Sequence, residues 1–145
     1  MLRIVLASLH LLALGIGLGA VWSRARLLGG RFDSGATRRA LVADSWWGAA
    51  AGLWLATGLW RLFASTEKAT AFYMNNHVFF AKMGLFVLVF VLEIGPMVTL
   101  MRWRRGRQPD AAVARRISRI SYIECVVVIA MVVAAVAMAR GYGTR

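Results

Sequence analysis

Residues 79–105 read FFAKMGLFVLVFVLEIGPMVTLMRWRR, a long apolar run with Lys82 near its start, Glu93 inside it and an arginine cluster closing it. A helix of this length and character spans a bilayer, which makes its two ionisable side chains the informative residues. At 100° per residue the step from Lys82 to Glu93 returns to nearly the same helix face, and at 1.5 Å rise it separates them by roughly 16 Å. The two charges share a stripe without touching. An ionised group facing lipid costs several kcal/mol, so this stripe must face protein, water or a cofactor, and each charge needs a partner from elsewhere in the chain.

Outward from that run, the 145 residues are 60% hydrophobic, well above the roughly 45–50% of an ordinary soluble domain. The surplus falls in four runs, 4–22, 45–63, 78–101 and 120–139, each near the ~20 residues a helix needs to cross a bilayer. The expected fold is all-α: a single domain over 1–145, an integral membrane four-helix bundle with four spans. The net charge of +12 sits beside the spans, where basic residues set orientation and meet anionic lipid head groups. The expected partner is therefore the lipid bilayer, with no nucleic acid. Twelve of the 18 Lys and Arg lie in the first and third connections, five in the termini and second connection, and Lys82 within a span. Positive residues mark the cytoplasmic side, so both termini are expected on the outer (periplasmic) side of a bacterial inner membrane. The lone Cys125 permits no intramolecular disulfide and no cysteine metal site. Arginines, and no small-residue cleavage pattern, follow the first apolar run, so that span is expected to be retained.

Along the chain, Gly15 with Gly19 and Gly48 with Gly52 form small-xxx-small pairs that admit a neighbouring backbone. Gly29-Gly30 breaks the helix, and residues 37–44 are expected to form a short interfacial helix leading into the second span. Trp46, Trp47 and Trp60 lie near span ends, where indoles sit at the head-group boundary, whereas Trp54 is mid-span and suits the face of a flat ligand. Arg61 reads as a snorkelling anchor. The connection 64–77, with Glu67, Lys68, Asn75, Asn76 and His77, is mildly charged. Pro109-Asp110 starts an amphipathic helix that runs into the fourth span, one turn into which lies Glu124. The chain closes with RGYGTR, read as a flexible tail.

The polar residues within the membrane fall into two layers. Lys82 and Arg61 lie toward one face, with His10 about a third of the way in, and Glu93, Glu124, Arg24, Arg116 and Arg119 lie toward the other. Glu93 and Glu124 have arginines at hand, so structural ion pairs are the plain reading and a protonated relay the sharper one. His10 is able to ligate haem iron, accept a proton or hydrogen-bond a neighbouring helix. His77, the other histidine, belongs at the membrane boundary, and methionines such as Met83, Met97 and Met131 are ordinary packing in an apolar helix. P-loop, Rossmann, HExxH and Gly-x-Ser-x-Gly signatures are missing from the sequence, which leaves nucleotide hydrolysis, dinucleotide hydride transfer and serine or zinc hydrolysis without support.

The stretches LHLLALGIGLGAVWSRAR, DSWWGAAAGLWLATGLWRLF, EKATAFYMNNHVFFAKMGLF, EIGPMVTLMRWRR and MARGYG resemble an uncharacterised bacterial family of small four-helix membrane proteins, domain of unknown function 2214. That resemblance covers almost the whole chain and implies the fold and a membrane location. More distantly, the chain is similar to the membrane-embedded, oxygen-independent HemJ-type protoporphyrinogen oxidase, which has a Leu-His pair in its first span, an Ala-Lys pair early in its third and an Arg with a Glu around the start of its fourth. The matching elements here are Leu9-His10, Ala81-Lys82, and Arg116 or Arg119 with Glu124. Two elements depart from that pattern: Glu93 stands where a second histidine is expected, and an Asn-Glu-x-Pro element reads Ile123-Glu124-Cys125-Val126. The resemblance implies an oxidoreductase binding haem b or porphyrin, with His10 as metal ligand, Trp54 against the ring and Lys82 or an arginine on a propionate. Its catalytic candidates are Lys82, Glu93, Arg116, Arg119 and Glu124. Two other classes stand beside it: a structural or accessory subunit of a homo-oligomer or larger membrane complex, and a small proton-coupled transporter using Glu93 and Glu124.

Overall fold

The computed structural model describes residues 1–63 and 76–143, so the connection carrying Glu67, Lys68 and Asn75, and the last two residues of the tail, lie outside the described residues. Four long helices account for nearly all of the rest: α1 (Leu2–Gly29), α2 (Ser34–Phe63), α3 (His77–Arg104) and α4 (Ala111–Ala139). Each contains one of the four apolar runs and extends beyond it. The connection between the first two runs is consequently mostly helical. Arg24 and Arg26 ride on the end of α1 and Arg38 and Arg39 on the start of α2, the turn, which holds Arg31, is confined to residues 30–33, and 37–44 is continuous with α2 rather than a separate interfacial helix.

Local chemistry explains the helix starts. The Asp33 carboxylate accepts from the Ala36 amide at the head of α2, and Asp110 accepts from the Val113 amide at the head of α4. The Asn76 side chain accepts from the amides of Val78 and Phe79 at the head of α3. Each satisfies donors that a helix N-terminus otherwise leaves unpaired. Asn76 is fully buried and its Nδ2 donates to the Tyr142 carbonyl, while the His77 amide donates to the Gly143 carbonyl. Through Gly143 the tail is therefore pinned to the start of α3, where a flexible end was expected.

Length and apolarity suffice for membrane crossing in α1, α3 and α4. The central part of α2, residues 45–63, spends four positions on Trp and three on Gly, residues that partition into hydrocarbon less readily than Leu, Ile or Val. Helices α1 and α4 form the middle of the assembly, with α2 packed on α1 and α3 on α4, and α2 and α3 barely meet. A buried core of Val21, Trp47, Val89, Val128 and Met131 fills the mid-section, and a second, with Leu28, Ala40, Leu100, Trp103 and Ile117, fills the arginine-rich end. The glycine pairs Gly15/Gly19 and Gly48/Gly52 take no part in this packing, having nothing within 4 Å of the space a Cβ would occupy. Close approach is managed instead by Gly17 beneath the Trp47 ring, Gly29 against the Ser118 hydroxyl and Gly58 against the His10 ring.

Gly143 lies at φ +85°, and a Cβ there would sit 2.5 Å from Val78 Cγ2 and 2.7 Å from Asn76 Oδ1. Gly106, at φ +92°, has open space around it. Alanine at either position incurs the backbone cost of about 1 kcal/mol, but only at Gly143 is a steric clash added. Thermal denaturation in detergent should accordingly show Gly143→Ala clearly below Gly106→Ala, and equal melting temperatures would mean that the tail is not held against α3.

Candidate functional site

Two polar centres emerge, at opposite ends of α1. Around the first, Arg24 lies one to two turns beyond Gly17, Ala20 and Val21 and one turn before Leu28, on a stripe that is buried throughout. Its guanidinium is fully inaccessible and all five of its N–H donors are used. Nε donates to Ser121 Oγ at 3.0 Å, Nη1 to Asp44 Oδ1 and Glu93 Oε1 at 2.8 Å each, and Nη2 to Glu93 Oε2 at 2.7 Å and Glu124 Oε2 at 2.8 Å. Glu93 is thus gripped bidentately, the strongest form of this pairing. The acceptors come from α2, α3 and α4, so one side chain of α1 ties all four helices together. Arg104 extends the cage: its Nη2 donates to Asp44 Oδ2 at 2.9 Å and to the Leu41 carbonyl, and its Nη1 to Ser45 Oγ. That bridge joins α2 to α3, which otherwise barely meet.

This cage brings together Glu93 and Glu124 as sequence reasoning placed them, in one layer with Arg24. Arg116 and Arg119 are exposed on α4 and take no part in it. Arg24, Asp44 and Ser121 were not singled out as site residues. The signal for Arg24 lay in helical spacing, since a helix continued past Trp22 carries the Gly17–Val21–Leu28 stripe directly through position 24.

The second centre is a cavity of about 450 Å³ at the other end, to which all four helices contribute, a volume within the ~300–1,000 Å³ usual for small-molecule sites. Three of the sequence-predicted residues, His10, Trp54 and Lys82, line it together, with Arg61 alongside. Phe86, Met83 and Met131 supply apolar wall. His10 Nδ1 lies 2.9 Å from Thr57 Oγ1, while that hydroxyl sits 2.8 Å from the Leu53 carbonyl and 3.1 Å from that of Trp54. A hydroxyl has one proton, and a Thr57 hydroxyl that spends it on its own helix accepts from Nδ1–H of His10, the tautomer of a neutral imidazole whose lone pair is on Nε2. The His10 ring also stacks on Trp54, with centroids 5.3 Å apart and planes 24° from parallel, and Trp54 in turn meets Phe86. Trp54 Nε1 is buried without a hydrogen-bond partner. Lys82 is half-buried, and among the described residues no carboxylate pairs with it. The stripe predicted for α3 thus divides: Glu93 finds its counter-ion in Arg24, and Lys82 turns a cation to the cavity.

Among the described residues no cluster of three or more His, Cys, Asp or Glu side chains is arranged to hold a bare metal ion. A tetrapyrrole asks less of the protein, because it brings four nitrogens of its own and needs one axial imidazole. The cavity residues fit such a group: an imidazole, an apolar wall, and the Lys82 ammonium, which no carboxylate pairs among the described residues.

Removing the Arg24 guanidinium leaves the buried Glu124 and the largely buried Glu93 without their cation and Asp44 with Arg104 alone, a change that typically costs about 3–5 kcal/mol. Arg24→Gln should abolish recovery of monodisperse protein in detergent. Arg24→Lys should rescue it poorly, because an ammonium has three donors and no fork. Arg116→Ala and Arg119→Ala should stay within ~0.5 kcal/mol of the parent. Wild-type yield and melting temperature for Arg24→Gln would show that the cage does not hold the fold.

Curated proteins and solved structures offer no significant match to the chain. Its long apolar helices and near-complete correspondence to one family agree on its place in the bilayer, and the chain belongs to the DUF2214 family of predicted membrane proteins, which it matches over residues 2–143.

Proposed function

We propose that this protein is a four-span protein of the bacterial inner membrane that binds haem b or a porphyrin in the cavity around His10 and serves a redox role there. The observation that carries the reading is the meeting of His10, Trp54 and Lys82 around one cavity, with the His10 ring held by its hydrogen bond to Thr57 and stacked on Trp54. Ligating histidines characteristically donate their other N–H to an oxygen acceptor in this way, and the partner's removal costs about 10–100-fold in metal affinity. Lys82 would meet a propionate, and the Trp54 N–H, without a partner among the described residues, offers a further donor. A haem bound there would supply one-electron chemistry. The protein's part is to orient the His10 ring, keep the site apolar and neutralise a carboxylate.

A second reading rests on a different observation. The open faces of Gly15, Gly19, Gly48 and Gly52 are suited to another helix, which favours an accessory subunit in a homo-oligomer or larger complex. Transport driven by Glu93 and Glu124 draws less support, because the buried core of Val21, Val128 and Met131 separates the cage from the cavity.

Protein purified in detergent from haem-replete cells should show a Soret band that His10→Ala abolishes. Thr57→Val should lower haem affinity by about 10–100-fold with the fold intact, and Lys82→Met should weaken it through loss of a propionate partner. Colourless protein that takes up no added haemin would overturn the cofactor reading and leave the accessory one.

A further inference from the structure

The Arg24 cage contains an imbalance that the ion pairs do not resolve. Two guanidiniums, Arg24 and Arg104, face three carboxylates, Asp44, Glu93 and Glu124. With every group ionised the cage is one negative charge in excess. A guanidinium cannot restore the balance by changing its protonation, so the adjustment falls to a carboxylate.

The three carboxylates are not equivalent. Asp44 places one oxygen on Arg24 and the other on Arg104, and its side chain is 15% exposed. Glu93 places both oxygens on Arg24 and is 18% exposed. Glu124 is fully buried, has one oxygen on Arg24, and its Oε1 is buried with no hydrogen-bond partner among the described residues. Moreover Glu93 Oε2 and Glu124 Oε2 converge on the two N–H groups of the same Nη2, and two carboxylates brought that close in a buried site repel when both are charged. A buried neutral hydroxyl without a partner costs about 1–3 kcal/mol, and an uncompensated buried charge costs more.

We infer that the cage is a proton-binding site, with the proton carried by Glu124 beside Glu93. The groups facing it are Arg24 from α1, Asp44 from α2, Glu93 and Arg104 from α3, and Ser121 and Cys125 on α4 itself. The partly exposed carboxylates of Asp44 and Glu93 connect it to the arginine-rich end of the molecule, while the apolar core above closes it from the His10 cavity. Exchange is therefore one-sided. This site stands whether or not the cavity holds a tetrapyrrole, because it shares no residue with the cavity.

Infrared spectroscopy and isosteric substitution of the full chain in detergent test it. The wild type should show the carbonyl stretch of a protonated, buried carboxylic acid, and Glu124→Gln should lose that band. Because the amide has the shape and charge of the protonated acid, Glu124→Gln should melt within about 2 °C of the wild type, whereas Glu93→Gln, which neutralises a doubly bonded carboxylate, should fall by several degrees or fail to fold. A wild type without a protonated-acid band, a band that survives in Glu124→Gln, or a Glu124→Gln protein as unstable as Glu93→Gln would overturn the inference.

Discussion

Everything in this molecule hangs on a guanidinium that has been removed from water and given an acceptor for each of its five N–H groups. Burying an unpaired cation inside a membrane protein is prohibitive, and burying a fully paired one is tolerable only in one arrangement of its partners. Because those partners sit on three other helices, the geometry of Arg24 dictates how α2, α3 and α4 stand around α1. Apolar contact in a bilayer discriminates poorly between arrangements, since lipid tails are as good a neighbour for leucine as another helix is. Directional polar contact supplies the discrimination that the hydrophobic effect supplies in water.

The cage also accounts for the division of the molecule into two ends of different chemistry. At the arginine-rich end the apolar core around Leu100 and Trp103 closes tightly, and Arg104 holds α2 to α3. Toward the other end α2 and α3 have no such bridge among the described residues, and the space between the helices opens into the cavity of His10, Trp54 and Lys82. Anchoring at one end thus leaves room at the other. Thr57, bonded back to its own helix, holds by a hydrogen bond the ring of a histidine on the neighbouring one.

Much of the architecture was legible in the residues. Apolar runs of span length, bounded by arginines, specify helices in a bilayer because a backbone without water must bond to itself. The charged pair on α3 announced that its stripe faced inward, and the layering of Lys82 apart from Glu93 followed from rise per residue alone. What composition misjudged was the extent of the helices at the first connection: read as a loop with a short interfacial helix at 37–44, it is mostly helical, because α1 continues to Gly29 and capping by Asp33 lets α2 begin at Ser34. The helix expected from Pro109-Asp110 into the fourth span, by contrast, is the one that the Asp110 cap begins. The tail was misjudged for a similar reason, its anchor being a buried asparagine 66 positions earlier in the chain.

From sequence alone, then, came the four helices, their membrane setting, and the identity of most residues able to do chemistry, for these follow from local periodicity and from the expense of charge in lipid. Which arginine answers which glutamate was settled only by tertiary structure, because the choice among Arg24, Arg116 and Arg119 turns on rotation about helix axes, and the basic flanks place all three near the same depth. The fold selected Arg24, whose stripe faces inward, and left the other two exposed.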